Sequence, residues 1–67
     1  MNIEINQETH SVPEGASLKE VLRLSSMDEK NGIAVAVNQI IVPRANWSHS
    51  IIHENDTLTI IQATQGG

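Results

Sequence analysis

Residues 33–47 read IAVAVNQIIVPRANW, and this stretch carries the strongest fold signal in the chain. Its first five residues alternate large and small apolar side chains, which predicts a strand, Ile33–Val37, with the alanines on one face. Asn38-Gln39 predicts a short turn, and residues 40–42 predict a brief further strand. Pro43 ends that strand and places it at a sheet edge, because proline has no N–H to donate to a second neighbour.

Downstream of this stretch, we predict one irregular segment and one long strand. Residues 44–50 form an irregular loop or a single helical turn, with Trp47, the only aromatic residue, packed beneath it. Asn55-Asp56 predicts a turn, and residues 58–63 predict the last strand.

Upstream, the pattern predicts a hairpin. Ile3 and Ile5 alternate with polar residues, as in a half-buried strand. Residues 6–8 form the turn, and residues 9–12 pair back as a second strand. Pro13-Glu14-Gly15 then ends the hairpin, since proline suits the second position of a turn.

A helix is predicted to begin after Ser17. The Ser17 side chain suits an N-cap, and Glu20, three residues later, completes a capping box. Leu18, Val21 and Leu22 then lie on one helical face, which we expect to pack on the sheet.

The element order is therefore β-β-α-β-β-β, and the fold class is α+β. One helix on a mixed sheet of four or five strands is the ubiquitin-like β-grasp arrangement, in which the first and last strands lie side by side at the centre. We expect a β-grasp domain over residues 1–63 and a flexible Gly-Gly tail over residues 64–67. The expected core consists of inward-facing aliphatic residues: Ile3, Ile5, Leu18, Val21, Leu22, Val35, Val37, Leu58 and Ile60.

Composition disfavours several classes of function. A chain of 67 residues leaves little volume for a deep catalytic cleft, so a carrier is favoured over an enzyme. No cysteine is present to form a disulfide or a reactive thiolate. Eight acidic residues against four basic ones disfavour nucleic acid as a partner. The apolar runs are too short to span a membrane and no signal peptide is visible, so we expect a cytoplasmic protein.

The side chains offer few constellations for chemistry. His49 and His53 are spaced as two ligands on one helical face would be, but the intervening residues have no helical pattern. A third ligand would have to be His10 or a carboxylate, and we favour solvated loop histidines with no metal bound. We expect no bound cofactor.

The Gly66-Gly67 terminus remains as the candidate reactive group. Two residues without side chains can enter a narrow tunnel and leave the terminal carboxylate unhindered. A carboxylate activated by another protein could accept sulfur, which this cysteine-free chain cannot hold on a side chain. Taken alone, a terminal Gly-Gly fits a frayed end equally well.

Residues 34–44, AVAVNQIIVPR, followed by Trp47, resemble a stretch typical of the ThiS family, bacterial sulfur carriers of thiamine biosynthesis. The turn at Asn55-Asp56, the final strand and Gly66-Gly67 extend the resemblance over the whole chain. Pro-Arg-x-x-Trp is its more specific element, whereas Gly-Gly is shared with the small subunit of molybdopterin synthase and with ubiquitin. Asn55 stands where such carriers often have glycine, and asparagine tolerates the left-handed backbone such a turn needs.

The resemblance implies a cycle in which Gly67 is the covalent site and Gly66 gives clearance. An E1-like adenylyltransferase of the ThiF type, using ATP and magnesium, would adenylate the Gly67 carboxylate. A desulfurase system would supply sulfur to form a thiocarboxylate. A thiazole synthase of the ThiG type would then receive that sulfur.

The sheet face opposite the helix is a candidate docking surface for the activating enzyme. By alternation it carries Ala34, Ala36, Thr59, Ile61 and Ala63. Two alternatives share the activation step: a molybdopterin-type sulfur carrier and a ubiquitin-like modifier. A third, of a different class, is a non-covalent β-grasp interaction module with an inert terminus.

Overall fold

The computed structural model describes residues 1–27 and 32–62. Its elements, in order, are β1 (Asn2–Ile5), β2 (Glu8–Ser11), α1 (Leu18–Leu24), β3 (Ile33–Val37), β4 (Ile40–Val42), a 3₁₀ helix (Arg44–His49) and β5 (Thr57–Gln62). The predicted order is confirmed, with β2 and β5 each beginning one residue earlier than expected. The predicted loop residues 28–31, Ala63 and the predicted tail over residues 64–67 lie outside the described residues.

The described strands form one five-stranded sheet in the order β2-β1-β5-β3-β4. β1 and β5 pair in parallel, with Ile5 opposite Leu58, and the other neighbouring strands pair antiparallel. β4 occupies an edge, as Pro43 predicted, and β5 lies at the centre beside β1. The β-grasp prediction is thereby confirmed.

α1 begins with the predicted capping box. The Ser17 hydroxyl accepts a hydrogen bond of 3.1 Å from the Glu20 N–H, and the Glu20 carboxylate accepts one of 3.2 Å from the Ser17 N–H. These reciprocal bonds satisfy two donors that a helix start otherwise leaves unpaired. The apolar face of the helix, including Val21, is fully buried against the sheet.

The buried core contains every predicted residue except Val37, which is partly buried and packs against it. It also contains four residues from outside the strands and α1: Val12, Ala16, Trp47 and Ile52. The Ile52 N–H donates a hydrogen bond of 2.9 Å to the Ala16 carbonyl oxygen. The Leu18 N–H donates one of 2.7 Å to the Ser50 carbonyl oxygen. The connection before β5 therefore pairs with the chain entering α1.

Candidate functional site

β5 leads from the centre of the sheet to the predicted covalent site. The strand runs from Thr57 to Gln62 between β1 and β3; β3 pairs with it from Leu58 to Gln62, whereas β1 pairs with it only at Thr57 and Leu58. Gly66 and Gly67 lie outside the described residues. Pairing with β3 thus holds β5 as far as Gln62, the last residue that the structure describes.

The sheet face opposite α1 carries an apolar patch across β3, β4 and β5. The register sets Ala34 opposite Ile61, and sets Ala36 between Ile41 on β4 and Thr59 on β5. Ile41 is 58% exposed and Ile61 is 55% exposed. We call the exposed residues Ala34, Ile41, Thr59 and Ile61 the outer patch.

Ala36 lies on this face as predicted, and Ile41 lies there too. Ala36 is only 7% exposed, because its single methyl group sits between the larger side chains of Ile41 and Thr59. Ile41 was missed as a member. The signal was available, since a two-residue turn at Asn38-Gln39 pairs Ala36 with Ile41 and hence puts both on one face. Ala63 lies outside the described residues.

The same face becomes polar on the other side of β5. There Glu4 on β1 lies opposite Thr9 on β2 and Thr57 on β5, and all three are exposed. The outer patch is thus confined to the half of the face formed by β3, β4 and the end of β5. A partner that covers it would meet apolar surface bordered by hydroxyls and carboxylate.

Two hairpin turns of the same kind flank β5. Asn6-Gln7 has φ angles of 49° and 72°, and Asn38-Gln39 has φ angles of 51° and 72°. Positive φ at both central residues defines the type I′ turn that suits the twist of a two-residue hairpin. In both turns the asparagine side chain reaches the backbone of β5.

Asn38 anchors the start of β5. Its side-chain oxygen accepts a hydrogen bond of 3.0 Å from the Thr57 N–H, and its amide donates 3.0 Å to the Asp56 carboxylate. Asp56 in turn accepts 2.8 Å from the His53 N–H. This network fixes the turn at Asn55, whose φ of 69° confirms the left-handed conformation expected there.

Asn6 contacts β5 farther along. Its side-chain oxygen accepts 2.8 Å from the Ile60 N–H, and its side-chain amide donates 3.3 Å to the Ile60 carbonyl oxygen. Its backbone N–H donates 3.0 Å to the Leu58 carbonyl oxygen. One residue thus pairs with two successive positions on the β1 side of β5.

In the Pro-Arg-x-x-Trp stretch, the tryptophan has a structural role. Trp47 is 3% exposed and joins the core, as predicted. The Arg44 guanidinium carbon lies 4.5 Å from the centre of the Trp47 ring, which is cation–π geometry. Arg44 therefore covers the outer surface of the tryptophan.

The histidines do not converge. His10 lies 3.7 Å from Glu8 and His53 lies 3.9 Å from Asp56, while His49 ends the 3₁₀ helix. Within residues 1–27 and 32–62, no three His, Cys, Asp or Glu side chains are grouped so as to hold a metal ion. None of the helices in the same part of the chain is long and apolar enough to cross a membrane.

A helix across a mixed sheet, with the last strand central and followed by a Gly-Gly sequence, defines the ubiquitin-like β-grasp class of small proteins. The chain belongs to the ThiS family, whose model matches residues 1–67. It is 32% identical over 68 residues to the sulfur carrier protein ThiS of Escherichia coli K12, and the match covers 100% of both chains.

Solved structures agree with the fold. The crystal structure of the thiamine biosynthesis protein ThiS from Geobacter metallireducens superimposes with a TM-score of 0.85, covering 100% of both chains at 19% identity. A solution structure of a thiamine biosynthesis protein from the same organism gives a TM-score of 0.78, also at 19% identity, and covers 100% of this chain and 88% of that one. At that identity the likeness supports the fold alone.

Proposed function

We propose that this protein is a sulfur carrier of thiamine biosynthesis that holds sulfur on the carboxyl group of Gly67. The observation that carries the proposal is the family match over residues 1–67, joined by 32% identity to a protein named as a sulfur carrier. The family assignment favours this function over the molybdopterin-type carrier and the protein modifier. The chain acts as a co-substrate of partner enzymes and not as a catalyst.

The chemistry follows from what a carboxylate needs. A Gly67 carboxylate oxygen attacks the α-phosphorus of ATP in a ThiF-type enzyme, and pyrophosphate leaves. Hydrosulfide, released from the persulfide of a desulfurase system by a thiol reductant, then attacks the acyl carbon, and AMP leaves. The thiocarboxylate formed in this way donates its sulfur to a ThiG-type thiazole synthase. ATP and magnesium are bound by the activating partner.

The outer patch supplies the docking surface in this proposal. It is largely apolar and exposed, and two of its residues, Thr59 and Ile61, belong to β5, the strand that precedes residues 63–67 in the sequence. Isolated exposed apolar residues are ordinary on protein surfaces, whereas Ile41 and Ile61 lie on one sheet face with Ala34. Burial of this patch provides binding energy without requiring charges.

Intact mass spectrometry tests the proposal. The purified protein is incubated with ATP, magnesium, a sulfur source and a ThiF-type enzyme, and fragmentation locates any mass change. We expect exchange of one oxygen for sulfur at Gly67, and no exchange when ATP is omitted. Deletion of Gly67, or extension by one residue, should abolish it while Trp47 fluorescence reports an intact fold. An unmodified wild-type protein under these conditions would favour the non-covalent interaction module.

A further inference from the structure

The parallel ladder between β1 and β5 extends beyond the end of β1. Successive carbonyl oxygens on this side of β5 are those of Asp56, Leu58 and Ile60. Asp56 and Leu58 accept hydrogen bonds of 3.0 Å from the backbone N–H groups of Glu4 and Asn6. Ile60 accepts from the side-chain amide of Asn6 at 3.3 Å. The third rung of the ladder is thus made by a side chain.

The Asn6 side chain takes the place of a peptide group. Its oxygen accepts a hydrogen bond of 2.8 Å from the Ile60 N–H, and its NH₂ group donates one to the Ile60 carbonyl oxygen. It therefore satisfies both backbone groups of Ile60. β1 itself ends at Ile5 and turns away through Asn6-Gln7. Without this amide, the β1 side of β5 would be unpaired from Ile60 onward.

We propose that Asn6 is a positioning residue for activation, and that its side-chain bonds to Ile60 hold the second half of β5, the strand that precedes the Gly-Gly sequence, in the position that the activating enzyme binds. The inference rests on the proposed carrier function. On the β3 side, β5 is paired as far as Ile33 opposite Gln62. Asn6 bonds to the other edge at Ile60, so the middle of the strand is held from both sides. A strand that is already ordered in the free protein loses less conformational entropy when the activating enzyme binds.

Asn38 provides a matched control. It occupies the same position of the same type of turn, with φ of 51° against 49° for Asn6, and its side chain also bonds to β5. Its contact is with Thr57, at the opposite end of β5 from Gln62. Glycine at either position accepts the positive φ and removes only the side-chain bonds.

The test compares Asn6→Gly with Asn38→Gly in adenylation by a ThiF-type enzyme, after Trp47 fluorescence has confirmed folding. Asn6→Gly should raise the KM for the carrier about five-fold with kcat unchanged, the size expected from the loss of about 1 kcal/mol of preorganising hydrogen bonds. Asn38→Gly should leave KM within about two-fold of wild type. Equal KM values for the two variants would overturn the inference and reduce Asn6 to a turn residue.

Two further measurements separate this inference from the proposed function. Hydrogen exchange of the Ile60 amide should be faster in Asn6→Gly than in Asn38→Gly. Equal exchange rates would show that the Asn6 side chain does not hold Ile60, and this measurement needs no enzyme. If Asn6→Gly does not fold, Asn6→Asp retains the acceptor for the Ile60 N–H and should still raise KM. If wild type is not adenylated, the carrier function fails, and the exchange rates alone decide whether Asn6 holds β5.

Discussion

The Nε1–H group of Trp47 donates a hydrogen bond of 2.9 Å to the carbonyl oxygen of Val42. Val42 is the last residue of edge strand β4, and Trp47 lies in the 3₁₀ helix that follows it. The bond therefore ties the helix back to the strand while the ring fills the core. It also occupies a carbonyl oxygen at the end of an edge strand, where an unpaired acceptor invites pairing with another chain.

Replacing Trp47 with phenylalanine should lower the free energy of unfolding by about 1–3 kcal/mol, because the smaller ring leaves space and the Val42 carbonyl loses its donor. Urea denaturation followed by circular dichroism measures the change. His49→Ala, an exposed position in the same 3₁₀ helix, is the control and should stay within about 0.5 kcal/mol of wild type. A Trp47→Phe protein as stable as that control would contradict the structural role.

Replacing Ser17 with alanine should cost about 1 kcal/mol, because the capping box loses its acceptor for the Glu20 N–H. Trp47 fluorescence during urea unfolding follows the change. Ser48→Ala removes a hydroxyl at an exposed position and should have little effect. The capping interpretation does not survive if the two alanine variants are equally stable.

Replacing Asn55 with alanine should destabilise the protein much more than replacing it with glycine. At φ of 69°, alanine lacks the short polar side chain that lets asparagine adopt the left-handed conformation, and it should destabilise the protein by about 1 kcal/mol. Glycine accepts this conformation and should leave stability within about 0.5 kcal/mol. Thermal unfolding midpoints of the two variants measure the difference. Similar midpoints would show that backbone conformation is not what selects asparagine here.

Replacing Ile61 with aspartate should weaken adenylation without unfolding the protein. A carboxylate in the outer patch must be desolvated when the activating enzyme covers it, so we expect the KM for the carrier to rise by about ten-fold or more. Ile40→Asp is the matched control, since Ile40 is 70% exposed and lies on the other face of the sheet. Docking through the outer patch is ruled out if both variants show the wild-type KM.

Much of the fold could be predicted because its signals are local. Each signal depends on a few neighbouring residues. They are the alternation of Ile3 and Ile5 with polar residues, the capping-box spacing of Ser17 and Glu20, and the end of β4 before Pro43. The central pairing of β1 with β5 required the fold class as well, because nothing within either strand specifies a partner so distant in the chain.

The errors arise where packing between distant segments decides. Ile52 lies in a connection without periodicity, yet its side chain is buried in the core and its N–H pairs with the Ala16 carbonyl of a distant segment. The start of β2 at Glu8 follows from a two-residue turn at Asn6-Gln7, which lacks the glycine that usually marks such turns. In the candidate site, the exposure of Ala36 could not be predicted without the side chains that flank it across the strands.

The central place of β5 also bears on biosynthesis. β1 pairs with β2, and β3 pairs with β4, but only β5 joins these two hairpins into one sheet. A ribosome makes β5 last of the five described strands, so both hairpins emerge before the strand that unites them. The five-stranded sheet can therefore be completed only after β5 has been translated. An incomplete chain that lacks β5 has two hairpins with no strand to join them.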